Sequence, residues 1–132
     1  MLSLTLYRGY PGSGKSTIAR RNISIDGGVM IERDQLRLML FNKAWGLKRR
    51  QEETVTNAQH AFIEAAIKHG SNVHISDTNL NPKTITPLIN LGLRLGVQVK
   101  IFDVETPALE CVKRNHKRLA DGERGERVCH NV

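Results

Sequence analysis

The sequence predicts an α/β fold, a parallel sheet of about four strands flanked by helices on both faces. Three observations predict it. Short apolar runs alternate with longer stretches at helical spacing, glycines and prolines stand between them, and the first apolar run ends in a glycine-rich loop that opens a helix. The first strand is expected over Leu4–Tyr7 and its helix over Lys15–Asn22. Val29–Ile31 reads as the second strand, followed by a helix over Gln35–Phe41 for which Asp34 is a candidate N-cap. In Arg50–His69 the apolar residues Val55, Ala58, Phe62, Ala65 and Ala66 recur at helical spacing, which predicts a long amphipathic helix packed on the sheet. Gly70 stops it and hands the chain to a third strand, Asn72–Ile75. Asn81-Pro82 supplies a cap and a proline for the helix Lys83–Leu95, and Gly96 leads into the strand Val97–Phe102. Thr106-Pro107 repeats the device before a last helix over Pro107–Leu119. Polar residues alternate with apolar ones in the third and fourth strands, which places both nearer a polar boundary than the first; there His74 is expected to pack or hydrogen-bond.

At 132 residues the chain is expected to form one domain over 1–132, with an ordinary globular composition of 39% hydrophobic and 25% charged residues. The apolar start at Met1–Tyr7 lacks a basic flank, and no segment approaches the roughly 20 apolar residues a bilayer requires. The expectation is a cytoplasmic protein without a membrane partner. Cys111 and Cys129 have no Cys-x-x-Cys spacing and are expected to stay free thiols, and the five histidines form no pair at metal-ligand spacing. A net charge of +7 favours polyanionic partners by long-range attraction without naming one.

The glycine-rich loop carries the strongest chemistry. Gly9-Tyr10-Pro11-Gly12-Ser13-Gly14-Lys15-Ser16 is a complete phosphate-binding loop between a strand and a helix. Gly9, Gly12 and Gly14 let the backbone turn and, with Ser13 and Thr17, aim N–H groups at phosphate oxygens at the positive end of the helix. Lys15 is placed to reach the β- and γ-phosphates, and the Ser16 hydroxyl to ligate Mg²⁺. The chain is therefore expected to bind a nucleoside triphosphate, ATP first among them.

In open parallel sheets ligands lie beyond the carboxyl ends of the strands. The second strand runs into Glu32-Arg33-Asp34 with Arg37 a turn later, and the third into Ser76-Asp77-Thr78-Asn79. Phosphoryl transfer to a hydroxyl needs a carboxylate near the acceptor, a metal ion and cations around the transferred group. Asp34 suits the base, with capping as the alternative. Asp77 suits a Walker-B-like role, supporting the metal directly, through water or through Ser16, with a turn-forming aspartate as the alternative. Arg33 and Arg37 suit an anionic group of the acceptor, unless one is merely solvated. Between Asn42 and Arg50 stand Lys43, Lys48, Arg49, Arg50 and the only tryptophan, Trp45, with no acid. Such a segment suits a single-stranded nucleic acid, although Trp45 as a hydrophobic plug reads equally well. Arg114 and Arg118 lie four apart, on one face of the last predicted helix, and the glycine-containing stretch 121–127 reads as a lid.

Together, Gly9–Thr17, Arg33-Asp34 with Arg37, Ile75–Pro82, Phe102-Asp103-Val104 and Val112–Asn115 with Lys117-Arg118 resemble the kinase domain of phage polynucleotide 5′-kinase, block by block along nearly the whole chain. The resemblance implies a P-loop kinase fold with a C-terminal lid. It implies transfer of the ATP γ-phosphate, with Mg²⁺, to a 5′-OH end of single-stranded DNA or RNA in a phage-infected or bacterial cytoplasm. It makes Lys15 and Ser16 the phosphate and Mg²⁺ ligands, Asp34 the general base, Arg37 a contact to the acceptor phosphate and Asp77 an essential carboxylate. Arg114 and Arg118 become lid residues, Arg118 the one at the transition state. Departures stand beside it. No Asp-x-Asp acid pair of the family's phosphatase domain is present, Cys129 follows Val128 where proline is common, and the chain stops at Val132 where the family usually adds a helix. Either the lid is abbreviated or the chain is a fragment. The alternatives are a small P-loop kinase for a metabolite or nucleoside, and a non-catalytic ATP-dependent nucleic-acid-binding module. No Asn-Lys-x-Asp motif supports a GTPase switch.

Overall fold

The computed structural model of the chain describes residues 1–9, 13–77 and 82–104. In order these form β1 (Ser3–Arg8), α1 (Lys15–Asp26), β2 (Val29–Met30), α2 (Arg33–Phe41), α3 (Arg49–Lys68), β3 (Val73–Ile75), α4 (Pro82–Arg94) and β4 (Gln98–Asp103). The predicted helix over 107–119, with Arg114, Arg118 and the lid stretch, lies outside the described residues, as do Gly12 and Asn81.

The sheet is parallel, in the order β2-β3-β1-β4. Leu4 stands opposite Val73 on one side and Val99 on the other, so β1 is interior. Leu4, Leu6, Val73 and Ile75 are fully buried and join Val55, Ile63 and Ile67 of α3 and Ile85, Leu88 and Leu91 of α4 in one core. Gly92 of α4 permits the close approach to the sheet. A Cβ there would lie 2.6 Å from Val99 Cγ2 and 3.1 Å from Leu4 Cδ2. Gly70 and Gly96 end α3 and α4 at positive φ, as expected of stop signals that only glycine adopts without strain.

Three expectations are corrected. β3 is no boundary strand: all its residues are buried, because it lies between β2 and β1. Its polar residue is paired. The Asn22 amide donates to Tyr7 Oη at 2.9 Å, Tyr7 Oη lies 2.8 Å from His74 Nδ1, and His74 Nε2 lies 2.9 Å from Asp26 Oδ2. An amide N–H only donates and a carboxylate only accepts, so with a neutral imidazole the tyrosine proton points to Nδ1 and the ring proton sits on Nε2. The chain of bonds fastens α1 to the sheet. Second, the buried stripe of α3 is Val55, Gln59, Ile63 and Ile67, while Phe62 and Ala65 are exposed. A polar residue sits in that stripe because Gln59 has partners in the site described below. Third, the N-cap of α2 is Glu32, and Asp34 lies within the first helical turn.

Candidate active site

The phosphate loop connects β1 to α1. Gly14 holds φ 92°, a left-handed conformation that turns the chain into the helix, and Ile18 N–H bonds Gly14 C=O at 3.0 Å to start the ladder. Gly9 is required by closeness, since a Cβ there would fall 2.5 Å from Ser13 Oγ and 3.1 Å from the Val104 carbonyl. The first turn of α1 contains no acidic residue. Lys15 is only 3% exposed and Ser13 is buried, whereas Ser16 is half-buried and Thr17 exposed. A buried ammonium at the positive end of a helix dipole, with no acid in that turn, is a setting that fits a polyphosphate.

From Ser16 the hydrogen bonds run across the strand ends. Ser16 Oγ lies 3.4 Å from Ser76 Oγ, and Ser76 Oγ donates to Glu32 Oε1 at 2.6 Å. Ser76 has one proton, which goes to the carboxylate, so Ser16 is the donor in the longer contact. Glu32, not Asp77, is thus the carboxylate joined to the metal-ligating position expected at Ser16. A hydroxyl and a nearby carboxylate are hard oxygen donors of the kind that Mg²⁺ takes with water and phosphate.

Asp77 has other partners. Its Oδ1 accepts the Arg33 backbone N–H at 2.9 Å and its Oδ2 accepts Gln59 Nε2 at 2.8 Å. It therefore ties the first turn of α2 to the middle of α3. Burial pushes its carboxyl up to about 6, although both hydrogen bonds and the Arg33 charge oppose the shift.

At the N-terminal end of α2, Arg37 Nη1 donates to Asp34 Oδ1 at 2.6 Å, while its Nε and Nη2 fork onto Glu52 at 2.8 and 3.2 Å. Burial works against the Arg37 charge, but Glu52 and Asp34 hold its pKa above the ordinary arginine value. The same fork holds Glu52 below the usual carboxylate range. Arg33 turns to α3, donating to Thr56 Oγ1 at 2.8 Å and to the Glu52 carbonyl at 3.3 Å. Burial, with Arg37 beside it, lowers its pKa. Neither arginine is solvated: the side chains are 14% and 18% exposed. By these bonds each arginine keeps one hydrogen on each terminal nitrogen, Arg33 facing α3 and Arg37 facing both Asp34 and Glu52.

The structure brings Ser16, Glu32, Ser76 and Asp77 together with the start of α2, and Asp34 with Arg37. It sets Trp45 apart at 66% exposure, which removes the hydrophobic plug as a reading. Glu32, Glu52 and Gln59 were missed from the sequence. Glu32 had a signal, being an acid at a strand end; Glu52 and Gln59 sit inside a helix read as structural, far along the chain from their partners. Among the described residues no helix is long and apolar enough to cross a membrane.

Known proteins bear on the same architecture. Over 125 residues the chain is 37% identical to a protein of Autographa californica nuclear polyhedrosis virus assigned as a bifunctional polynucleotide kinase/RNA ligase, covering 83% of this chain and 17% of the viral protein. It superposes on a chain of the Pnkp1/Rnl/Hen1 RNA repair complex with a TM-score of 0.84 at 30% identity, over 95% of this chain and 40% of that one. The chain thus spans less than half the length of either relative. The Mycobacterium tuberculosis APS kinase CysC, at a TM-score of 0.68 and 18% identity over 93% of this chain and 73% of its own, shares the fold. This is the P-loop kinase fold, in which the phosphate loop binds nucleotide. Residues 4–132 match a family described as an AAA domain, and the chain belongs to that family.

Proposed function

We propose that this chain is the kinase unit of a polynucleotide 5′-kinase, moving the γ-phosphoryl group of ATP to the 5′-OH end of single-stranded DNA or RNA with Mg²⁺ held at Ser16. The observation that carries the reading is the Asp34–Arg37–Glu52 cluster, a carboxylate fixed by an arginine that keeps donors for an anionic acceptor. The likeness to the viral kinase/ligase and to the RNA repair chain supports it.

When bound, ATP supplies the phosphoryl group and Mg²⁺ neutralises charge on its oxygens. Asp34 takes the proton of the acceptor hydroxyl as that oxygen bonds to the γ-phosphorus and the bond to the β,γ-bridging oxygen breaks. Arg37 fixes the base through Oδ1 and offers its remaining hydrogens to the acceptor phosphate. Lys15 and the N–H groups of Ser13 to Thr17, with Gly9, Gly12 and Gly14 shaping the turn, hold the donor phosphates. Ser16, supported by Ser76 and Glu32, orients the metal. Asp77 acts by holding Arg33 and Gln59 in place. Arg114 and Arg118 complete the cation set from the lid, with Arg118 at the transferring group. The protein works in the cytoplasm of an infected or bacterial cell.

The test is transfer of label from γ-labelled ATP with Mg²⁺ to a 5′-hydroxyl oligonucleotide, beside the same strand carrying a 5′-phosphate. Label on the first alone is expected. Label on neither refutes the reading, and label on a nucleoside or small metabolite alone replaces it with a metabolite kinase. Asp34→Asn is expected to lower transfer by about 10²–10⁴-fold while ATP binding persists; a near wild-type rate would leave Asp34 as a helix-terminal charge only.

A further inference from the structure

The segment joining α2 to α3 has a feature that the transfer chemistry leaves unused. Asn42 ends α2 in the left-handed conformation, and Gly46 turns the chain again at φ 71°. Ala44 is buried, Leu47 packs against the core, and Lys48 N–H bonds Gln51 Oε1 at 2.8 Å to close the start of α3. The loop is pinned at both ends and its middle, yet the large side chain between these anchors, Trp45, is the one left in solvent. The indole is thus held in solvent by a loop whose neighbouring residues are anchored, which leaves its face open to a planar ligand.

Charge surrounds the ring. Lys43, Lys48, Arg49 and Arg50 are all exposed. The nearest acids in the sequence are already matched, Glu52 by Arg37 and Glu53 by Arg49 at 3.5 Å. A cavity of about 380 Å³ lined by Arg49, Glu52, Glu53, Thr56 and Asn57 opens on α3. Glu52 and Thr56 of its wall also hold Arg37 and Arg33, and Arg49, the first residue of α3, lines it as well. Asp34 lies at the opposite end of α2 from the loop, roughly 10 Å away along the axis. That is about three nucleotide steps of a stacked strand.

We propose that Trp45 is a stacking platform for a base of the acceptor strand a few nucleotides downstream of the reacting 5′ end, with Lys43, Lys48 and Arg50 on the intervening phosphates. The inference rests on the polynucleotide reading and adds to it a subsite that prefers strands over mononucleotides. Aromatic rings serve any base, so the subsite sets length preference and not sequence.

Trp45 is the only tryptophan, so its fluorescence reports on this position alone. The full chain is titrated with a single strand of about 10 nucleotides, inside the usual ~4–16 nucleotide range of such sites, and separately with a nucleoside 3′-monophosphate. Quenching by the strand, weakened by salt, and none by the mononucleotide is expected. In transfer assays Trp45→Ala should raise the ratio of KM for the strand to KM for the mononucleotide by about 5- to 100-fold, and Trp45→Phe should restore most of it. An unchanged ratio, or strand binding without quenching, overturns the proposal. A fluorescence change that follows protein concentration without nucleic acid also overturns it, by assigning the face to a second copy of the chain. If no acceptor is phosphorylated, the kinase reading fails, and the titration still decides the subsite.

Discussion

Replacing Asp77 by asparagine should change how stability depends on pH. The buried Asp77 carboxyl titrates near 6, while an aspartate in the unfolded chain titrates near 3.9. Between those values the folded protein keeps a proton that the unfolded chain has released. The contribution is fully present below about pH 4 and is lost as pH rises through about 6. A separation of about two pH units at 1.36 kcal/mol each gives roughly 3 kcal/mol across the window. Asparagine carries no such titration. Its Oδ1 can still accept the Arg33 N–H, but its amide faces Gln59 Nε2, so Gln59 must turn over and give up its 3.4 Å contact with the Ile31 carbonyl. That rearrangement costs about 1 kcal/mol at every pH and shifts the curve without tilting it. The assay is urea unfolding of both proteins from about pH 4 to pH 8, with the difference in unfolding free energy plotted against pH. His60, lowered by burial, titrates in both proteins and cancels. The wild type should lose roughly 3 kcal/mol relative to the variant by about pH 7, with a flat difference beyond. A difference that is flat throughout, or that favours the wild type as pH rises, refutes the assignment of a buried, reluctantly charged Asp77.

Further outcomes follow from particular contacts. Gly92→Ala places a methyl 2.6 Å from Val99 Cγ2 and 3.1 Å from Leu4 Cδ2, so despite the better helix propensity it should destabilise by about 1–3 kcal/mol, read as a lower melting temperature. Glu32→Gln keeps an oxygen for Ser76 but removes the charge from the Ser16–Ser76–Glu32 chain. It should weaken the Mg²⁺ dependence of ATP-analogue binding by about 10-fold in calorimetry, and unchanged Mg²⁺ dependence would return Glu32 to a plain helix terminus.

The sequence made the framework readable because its signals are local. The observed strands lie within a residue or so of the apolar runs, and Gly70 and Gly96 mark helix ends through backbone conformation alone. α1 runs four residues past the expected Asn22 because no breaker intervenes before Gly27, whose N–H closes onto the Ile23 carbonyl at 2.8 Å. What could not be read is contact between distant segments. The fork of Arg37 onto Glu52 could not be read because that partner is 15 residues away in the next helix. The bonds that Asp77 accepts from the Arg33 N–H and Gln59 Nε2 join residues 44 and 18 positions apart, so nothing local announces them. Gln59 broke the apolar pattern of α3 for the same reason: polar residues in a buried stripe mark a long-range partner that periodicity treats as noise.

The end of β3 explains how the two halves of the proposed site keep register. The donor half hangs on β1 and α1, and the acceptor half on the α2–α3 pair, where Arg37 joins Asp34 to Glu52. Because β3 lies between β2 and β1, the two residues that follow it, Ser76 and Asp77, leave the sheet between these halves. Ser76 reaches Ser16 on one side and Glu32 on the other, while Asp77 holds the backbone of Arg33 and the side chain of Gln59. A displacement of β3 by one residue would exchange the two faces and break all four contacts at once. Its fully buried side chains and the Tyr7–His74–Asp26 hydrogen bonds oppose such a slip. Burying Asp77 costs stability at neutral pH, and a neutral residue of the same shape would avoid that cost. An asparagine could not accept from both Arg33 and Gln59 without turning the glutamine over. The carboxylate's value at this position is that it accepts two hydrogen bonds at once, which holds α2 and α3 at a fixed distance from the strand that also touches the donor loop.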